Sequence, residues 1–533
     1  MNLEPVLKTI QIPLVTHTPK TLLLGPSPGS VSTLDGATFV PSAHLTWALK
    51  RRLWKLRWVL RTILLISLQS AGLALAQRAP VSPDRPWHGF GEARIEADAR
   101  NLTEPKLNFD QEKTYSLPEL IDLAESHNPE TRVAWEHARS QAAAWGIARS
   151  ELYPTVAAAA LAGVDREQAY LADRFFRQTI GDFQVALNLN YTIFDFGARA
   201  GRINAAKAEA LAANFAFNDT HRSVIYRVEQ AYYQLLNASG LEEAARANLS
   251  NAQAVQQAAE ERLNNGLATL PDVLEARSAT AQAEYELQAV LGAEEIAHGN
   301  LANALGTVPQ TAIHVQPLRE LTIPSAIDDT VNSAMDRALA QRPDLLQRVA
   351  DVLAAKARAK EARAAYYPTL NFTASPTAQS LYGLQQQFPW GQTGGLVGDM
   401  AFKLNWTVFD GGARKNRLAQ AEANVHEAEA QIRVSRDQIA NEVWAAYSDL
   451  NTALRQREAA TALLEAAGRS YDAALESYNY GLRNFLDVTA AQRTLAQARS
   501  TDVLARTRVL TTLADLAFRA GDSIQLNAMR PRP

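Results

Sequence analysis

Two segments of the chain alternate apolar and polar residues with period two. In the first, Phe183, Val185, Leu187, Leu189, Tyr191 and Ile193 alternate with Gln184, Ala186, Asn188, Asn190 and Thr192. In the second, Met400, Phe402, Leu404, Trp406 and Val408 alternate with Ala401, Lys403, Asn405 and Thr407. Period two predicts strands with one apolar and one polar face. Both strands end at Phe-Asp and a glycine turn: Phe194-Asp195-Phe196-Gly197 and Phe409-Asp410-Gly411-Gly412. Beyond each turn the pattern becomes rich in alanine, glutamine and charge, without proline, as far as Asn264 and Tyr480. A helix from Ala198 to Asn264 would span about 100 Å at ~1.5 Å per residue. Typical globular helices have only about 11–12 residues. Asn264-Asn265-Gly266 is a helix stop, and Asp272 opens a returning helix to about Leu305.

Upstream, Ser116-Leu117-Pro118-Glu119 starts a helix, with a Ser cap and an acid three residues on. Asn128-Pro129 interrupts that helix, which then runs to about Arg149. Tyr153-Pro154-Thr155 opens a second extended segment to about Val164. The polar stretches from Asp165 to Gly181 and from Ser375 to Gly398 read as loops. The glycines Gly391, Gly394, Gly395 and Gly398 lack a following Gly-Lys-Ser/Thr, so they give loop flexibility rather than a phosphate site.

The order of elements recurs. Arg342-Pro343 follows Asn128-Pro129 by 214 residues, and Tyr367-Pro368-Thr369 follows Tyr153-Pro154-Thr155 by the same distance. The pairs Phe194-Asp195 and Phe409-Asp410, Asp272-Val273 and Asp487-Val488, and Leu305-Gly306 and Ala520-Gly521 are offset by 215. One inserted residue over that span predicts an internal duplication. The expected divisions are an N-terminal extension and signal peptide (1–76), an irregular arm (77–115), a first repeat (116–306), a linker (307–327), a second repeat (328–521) and a tail (522–533). Each repeat is read as helix, strand, strand, long helix, helix.

An address precedes the arm. Lys50, Arg51, Arg52, Lys55, Arg57 and Arg61 form a basic cluster, and an apolar run closes at Ala74-Leu75-Ala76. These are the parts of a secretory signal. The uncharged run from Thr62 to Ala76 is shorter than the ~20 residues that a spanning helix needs. Residues 1–45 exceed what a signal needs and read as an extension or a misplaced start.

Composition narrows the functional classes. The 533 residues carry a formal net charge of −3, with 20% charged and 8% aromatic residues, which gives no sign of nucleic-acid binding. No cysteine is present, which excludes disulfides, Cys-based zinc sites, thiol catalysis and a lipidated N-terminal cysteine. No His-Glu-x-x-His occurs, and the nine histidines are scattered. No enzyme, cofactor or metal is expected.

Strands of about ten residues with one apolar face suit a transmembrane β-barrel. Nothing else in an exported chain offers a layer to cover that face. Four strands cannot close a barrel, and bilayer-exposed edges are not tolerated, so the barrel must be shared between chains. Side chains largely fill an eight-stranded barrel, so a conducting pore favours three chains and twelve strands. The polar loops would cap the barrel outside, and the small, polar helices would form a water-filled tube below it.

These features together resemble the TolC-type outer membrane efflux proteins over about Ser116 to Gly521. The resemblance rests on the duplicated order, the Tyr-Pro-Thr strand starts, the Phe-Asp-x-Gly strand exits and the hairpins Gly-Leu-x4-Asp-Val. It implies a mixed α and β membrane protein: a homotrimer with a twelve-stranded barrel, continued by a periplasmic α-helical barrel. It implies a passive exit duct for efflux or type I secretion. The duct sits in the cell outer membrane among its lipids and docks to a periplasmic adaptor and an inner-membrane RND, ABC or MFS pump. Residue by residue, Arg483 matches an arginine linking neighbouring helices in the closed state, Tyr478 a hydrogen-bonding tyrosine and Asp272 the acceptor carboxylate. Asp487 matches the inner of two acidic rings, which would attract cations. Ala490 stands where the second acid would be, and Pro271 replaces a polar residue beside Asp272. Gly266, Leu267, Gly481 and Leu482 fall where adaptor tips contact the family's channels. The rival reading from another class is an exported, non-channel α-helical periplasmic scaffold protein.

Overall fold

A computed structural model of the chain describes residues 92–101, 113–171, 174–311, 313–327, 330–386 and 392–522. The basic cluster, the Ala74-Leu75-Ala76 site and most of the tail lie outside the described residues. The chain divides into two compact units, Met1–Glu104 and Pro105–Pro533. In the first, the described residues form helix α1 (Glu92–Arg100), none of them buried. That helix falls in the stretch expected to be an irregular arm. Its ion pairs Arg94–Asp98 and Arg100–Glu96 have helical i,i+4 spacing, a local signal that the Pro and Gly content of the arm obscures.

The second unit follows the predicted order. It runs β1 (Thr114–Tyr115), α2 (Leu117–His127), α3 (Pro129–Ser150), β2 (Thr155–Leu171), β3 (Arg174–Phe194), α4 (Ala198–Asn264) and α5 (Leu270–Ala304). After β4 (His314–Val315) come α6 (Val331–Gln341), α7 (Pro343–Ala364), β5 (Thr369–Ala374), β6 (Thr377–Gln386), β7 (Gln392–Val397), β8 (Met400–Asn405), α8 (Ala413–Asn479) and α9 (Phe485–Ala520). Helices α4 and α8 each have 67 residues.

Most of the described residues in the polar stretches expected to be loops are in strands. Strand β2 pairs with β3 without a break from Thr155–Asn190 to Leu171–Arg174, through the whole polar segment. In the second half, β6 pairs with β3 on one side and with β7 on the other. An antiparallel ladder satisfies backbone groups whatever the side chains are, so polarity alone does not end a strand. Trp406 to Val408 lie outside the ladder, although the alternation continues through them. Strand β5 begins at Thr369, opposite Asn405, and the preceding Pro368 has no N–H to offer. The Trp406 indole instead donates to the Tyr366 carbonyl at 3.2 Å.

The sheet reads β2, β3, then β5 with β6, then β8 with β7. The third strand position breaks at Ser375-Pro376, between β5 and β6, and the fourth at Gly398-Asp399, between β7 and β8. At the breaks Ser375 N donates to Asp399 O at 2.9 Å, and a Cβ on Gly398 would lie 2.8 Å from Ser375 O. One face of the sheet is apolar: Tyr191 pairs with Phe372 and Phe372 with Phe402, beside Leu189, Ala374 and Met400. The other is polar: Thr192, Asn371 and Lys403 lie in one row, and Thr192 Oγ1 donates to Asn371 Oδ1 at 2.9 Å. Phe402, Leu404, Met400, Val156 and Val164 on the apolar face are all exposed. Among the described residues the outer sides of β2, β7 and β8 have no partner strand.

Three hydrophobic clusters punctuate the helices. One packs α2 on α4 and α5, through Leu120, Val228, Tyr232 and Leu301. Its counterpart packs α6 on α8 and α9, through Ala338, Val443, Leu450 and Val509. The third lies at the far ends of the helices and joins both hairpins. Elsewhere alanine dominates the buried positions of α4 and lets helices approach closely. Gly201 marks a close approach to α7: a Cβ there would lie 2.8 Å from Glu361 Cβ and 3.0 Å from Ala357 O.

Candidate functional site

Two sets of residues carry the sequence signal: the strand–helix junctions, and the turns at the other ends of the long helices. At the first junction Asp195 is buried between β3 and α4. Its Oδ1 accepts from Gly197 N at 3.2 Å and its Oδ2 from Arg199 N at 2.7 Å. Arg199 returns a 3.3 Å ion pair to Asp195 and donates to the Ile193 carbonyl at 3.2 Å. At the second junction Asp410 accepts from Gly412 N at 3.1 Å and from Arg414 N at 3.0 Å. Arg414 pairs with Asp410 at 2.9 Å and donates to the Val408 carbonyl at 3.1 Å. Gly197 (φ 94°) and Gly412 (φ 87°) take the left-handed backbone that lets the chain swing from strand to helix. The carboxylate thus caps a helix N-terminus, where anions are favoured, while the arginine holds the carbonyl two residues before the aspartate.

The arginines escaped the sequence reading. Their signal was there: both stand four residues after the aspartate, at the 215-residue offset. Aromatic side chains gather beside the junctions. Phe194 meets Phe196 edge-on at 4.7 Å, and Phe196 stacks on Tyr367 at 4.8 Å. Phe409 is 87% exposed.

At the far end, α4 and α8 stop in the same way. Gly266 (φ 73°) and Gly481 (φ 77°) are left-handed. Leu267 N returns to Arg262 O at 2.8 Å, and Leu482 N to Ser477 O at 2.8 Å. This double closure uses the last helix carbonyls and needs glycine at the turn. Leu267 and Leu482 are consequently bared at the tips, 67% and 78% exposed.

The expected gate residues are placed as follows. Asp272 accepts from Thr269 N at 2.9 Å and from Thr269 Oγ1 at 2.7 Å, closing a capping box on α5. Pro271 sits within the first turn of that helix, where no backbone N–H bond is lost. Asp487 holds the matching place on α9, where its N–H donates to Asn484 Oδ1 at 3.0 Å. Arg483 reaches Asp487 at 3.8 Å within its own chain, and both side chains are largely exposed. Within one chain, then, Arg483 does not meet Asp272. Tyr478 packs on Phe485, with ring centroids 5.9 Å apart. Its hydroxyl is buried and has no hydrogen-bond partner among the described residues of the single chain. Burial raises the Tyr478 phenol above its ordinary value; the Arg262 charge opposes this and Asp272 adds to it. Ala490 is exposed on the first turns of α9.

Arg262 is a further residue at this end that the sequence did not single out. It leaves the last turn of α4 and crosses to the second hairpin. Its Nη1 donates to Tyr478 O at 2.9 Å and Asn479 O at 3.4 Å, and its guanidinium lies 4.5 Å from the Tyr478 ring centroid.

Among the described residues no group of three or more His, Asp or Glu side chains is arranged to hold a metal ion. No described helix is long and apolar enough to cross a membrane.

The sequence model of the family described as "Outer membrane efflux protein" matches this chain over residues 120–307 and 334–522. The chain belongs to the outer membrane efflux protein family. It is 30% identical to Protein CyaE of Bordetella pertussis over 406 residues, 75% of this chain and 83% of that protein. It is 25% identical to outer membrane protein OprJ of Pseudomonas aeruginosa, over 81% of this chain and 88% of the relative. A crystal structure of a membrane protein from Pseudomonas aeruginosa superposes with a TM-score of 0.68 at 25% identity, covering 76% of this chain and 90% of that one. The protein is thus an outer membrane channel component of efflux or secretion, with a β part in the membrane and a helical part in the periplasm. It is a transport component by family, and the scaffold reading falls away. The exposed apolar sheet face is the surface that such a location requires.

Proposed function

We propose that this protein is the homotrimeric exit duct of a tripartite system. Three chains contribute four strands each to a twelve-stranded barrel, counting β5 with β6 and β7 with β8 as one strand each, and the long helices continue it as a periplasmic tunnel. The observation that carries this is the sheet of four strand positions, with one bare apolar face and two unpaired edges among the described residues. In a bilayer each edge needs a partner strand, and another copy supplies one of matching length. The polar face, with Asn, Thr and Lys403, then lines water. The aromatic residues at the junctions mark the periplasmic edge of the bilayer, as interfacial girdles do. The strands are longer than the ~9–11 tilted residues a bilayer needs, so the polar ends of β2 and β3 project outside the cell.

The two halves are read as copies of one duplicated unit, 116–306 and 328–521, joined by a linker at 307–327. The bared tips at Gly266, Leu267, Gly481 and Leu482 are the docking points for a periplasmic adaptor. The adaptor bridges to an inner-membrane RND, ABC or MFS pump, which supplies the energy. Asp272, Tyr478, Arg483 and Asp487 lie at the closing end of the tunnel. There Arg483 finds its second carboxylate on a neighbouring chain, and three Asp487 side chains form one ring rather than two, since Ala490 carries no charge.

The test is direct. The purified protein, unheated in SDS, should run as a trimer that boiling dissociates, and it should fractionate with outer membranes. In planar bilayers Arg483→Ala and Asp272→Ala should each raise single-channel conductance. Wild-type conductance in both variants removes the gate assignment. A monomer in the soluble periplasm removes the duct.

A further inference from the structure

The two hairpins of one chain differ at the point where they touch. With the 215-residue offset, Arg262-Leu263 of the first half corresponds to Ser477-Tyr478 of the second. The first half supplies a cation and the second an aromatic ring, and they meet. Arg262 Nη1 spans the carbonyls of Tyr478 and Asn479, at 2.9 and 3.4 Å, on the final turn of α8. The guanidinium covers the Tyr478 face at 4.5 Å. A cation at this place answers the partial negative charge of a helix C-terminus, where the last carbonyls lack helical partners. The Arg262 Nε is buried without a partner among the described residues, so the fork is not saturated and can be withdrawn without stranding many bonds. The neighbouring pair Arg483–Asp487 is 3.8 Å long, exposed and confined to the second hairpin, from its turn to the first turn of α9. Exposed pairs of that kind hold little. Asp272 is occupied by Thr269.

We propose that Arg262 is a latch residue of this channel: it ties the first hairpin to the second within each chain and so sets the closed position of the periplasmic end. The proposal rests on the duct reading above and names the residue that regulates it. Arg262 acts as a positioning residue, through the end of α8 and the Tyr478 ring, and touches no solute. Opening requires the guanidinium to leave the ring and both carbonyls, so that α4 and α8 can separate at their tips.

The experiment uses the full-length trimer in planar bilayers. Arg262→Gln keeps length and a donor but removes the charge, and should raise single-channel conductance severalfold. Arg262→Lys, which can still sit over the ring and donate to a carbonyl, should restore most of the closure. Tyr478→Leu removes the ring from the other side and should open the channel more than Tyr478→Phe, which keeps it. Trimers of each variant are first checked by their heat-modifiable mobility in SDS; should Arg262→Gln fail that check, the two Tyr478 variants carry the comparison. If Arg262→Gln conducts like wild type while Arg483→Ala conducts more, Arg262 is no latch and the gate stands on other residues. Equal conductance for Tyr478→Leu and Tyr478→Phe also overturns the assignment. If all five variants conduct like wild type, the gate at the hairpin ends itself falls.

Discussion

Glu229 lies near the middle of α4, 3% exposed. Among the described residues it has no ion-pair partner, and burial raises its pKa from the ordinary 4.5 to about 7. Because the folded value lies above the unfolded one, the neutral acid stabilises the fold fully below the unfolded pKa. That contribution is lost as pH rises from about 4.5 through 7, up to about 3 kcal/mol in all. Glu229→Gln, which is neutral throughout, should therefore unfold at a higher temperature than wild type at pH 8. At pH 5 the two should nearly coincide. A thermal melt followed by helical circular dichroism decides it, and equal offsets at both pH values would show that Glu229 does not titrate in this range. The junction aspartates, in contrast, have partners: each of their carboxylates is met by two backbone N–H groups and an arginine. The residue pair that makes each junction was half legible. Asp195 and Asp410 stood out as strand ends. Arg199 and Arg414 did not, because arginines on a helix face are common and only their contacts tell them apart.

At the scale of elements, α4 and α7 are set by how near their backbones come. At Gly201 even one methyl group would press on Glu361 and on the Ala357 carbonyl. Gly201→Ala should lower the melting temperature, with a cost of about 1–3 kcal/mol from overpacking. Gly292, inside α5, meets nothing within 4 Å of a built Cβ. There alanine should stabilise, by up to about 1 kcal/mol, through helix propensity alone. Opposite signs at two helical glycines are the expected outcome of paired melts. The helices were read closely from sequence, since α4 begins and ends where the proline-free run does. The strands were not. Their length depends on which backbone lies opposite, so β2 and β3 run on through polar residues while β8 stops short of an apolar one.

For the whole molecule, the apolar sheet face decides where the protein can live. Phe402 stands on that face beside Phe372, 5.2 Å away, and is 71% exposed. Phe402→Lys would place a charge against lipid, at a cost of about 2–4 kcal/mol near the bilayer midplane. We expect fewer heat-modifiable trimers in outer membranes from this variant. Lys403, the next residue, lies on the polar face, and Lys403→Gln should assemble at wild-type levels. Equal yields from Phe402→Lys and wild type would show that this face does not meet lipid.

The sequence by itself determined the succession of elements, the two long helices, the sites of the turns and the two faces of the sheet. Each follows from local physics: periodicity, the helix-stopping glycine, the capping carboxylate and the absence of proline. Only the tertiary structure decided the extent of the ladders, the breaks at Ser375-Pro376 and Gly398-Asp399, and the partners of the tip residues. Those depend on what lies opposite in space. Tyr478 shows the difference: its place at the tip was written in the chain, while its partner, Arg262, stands 216 residues away and has no counterpart at the matching place in the second half.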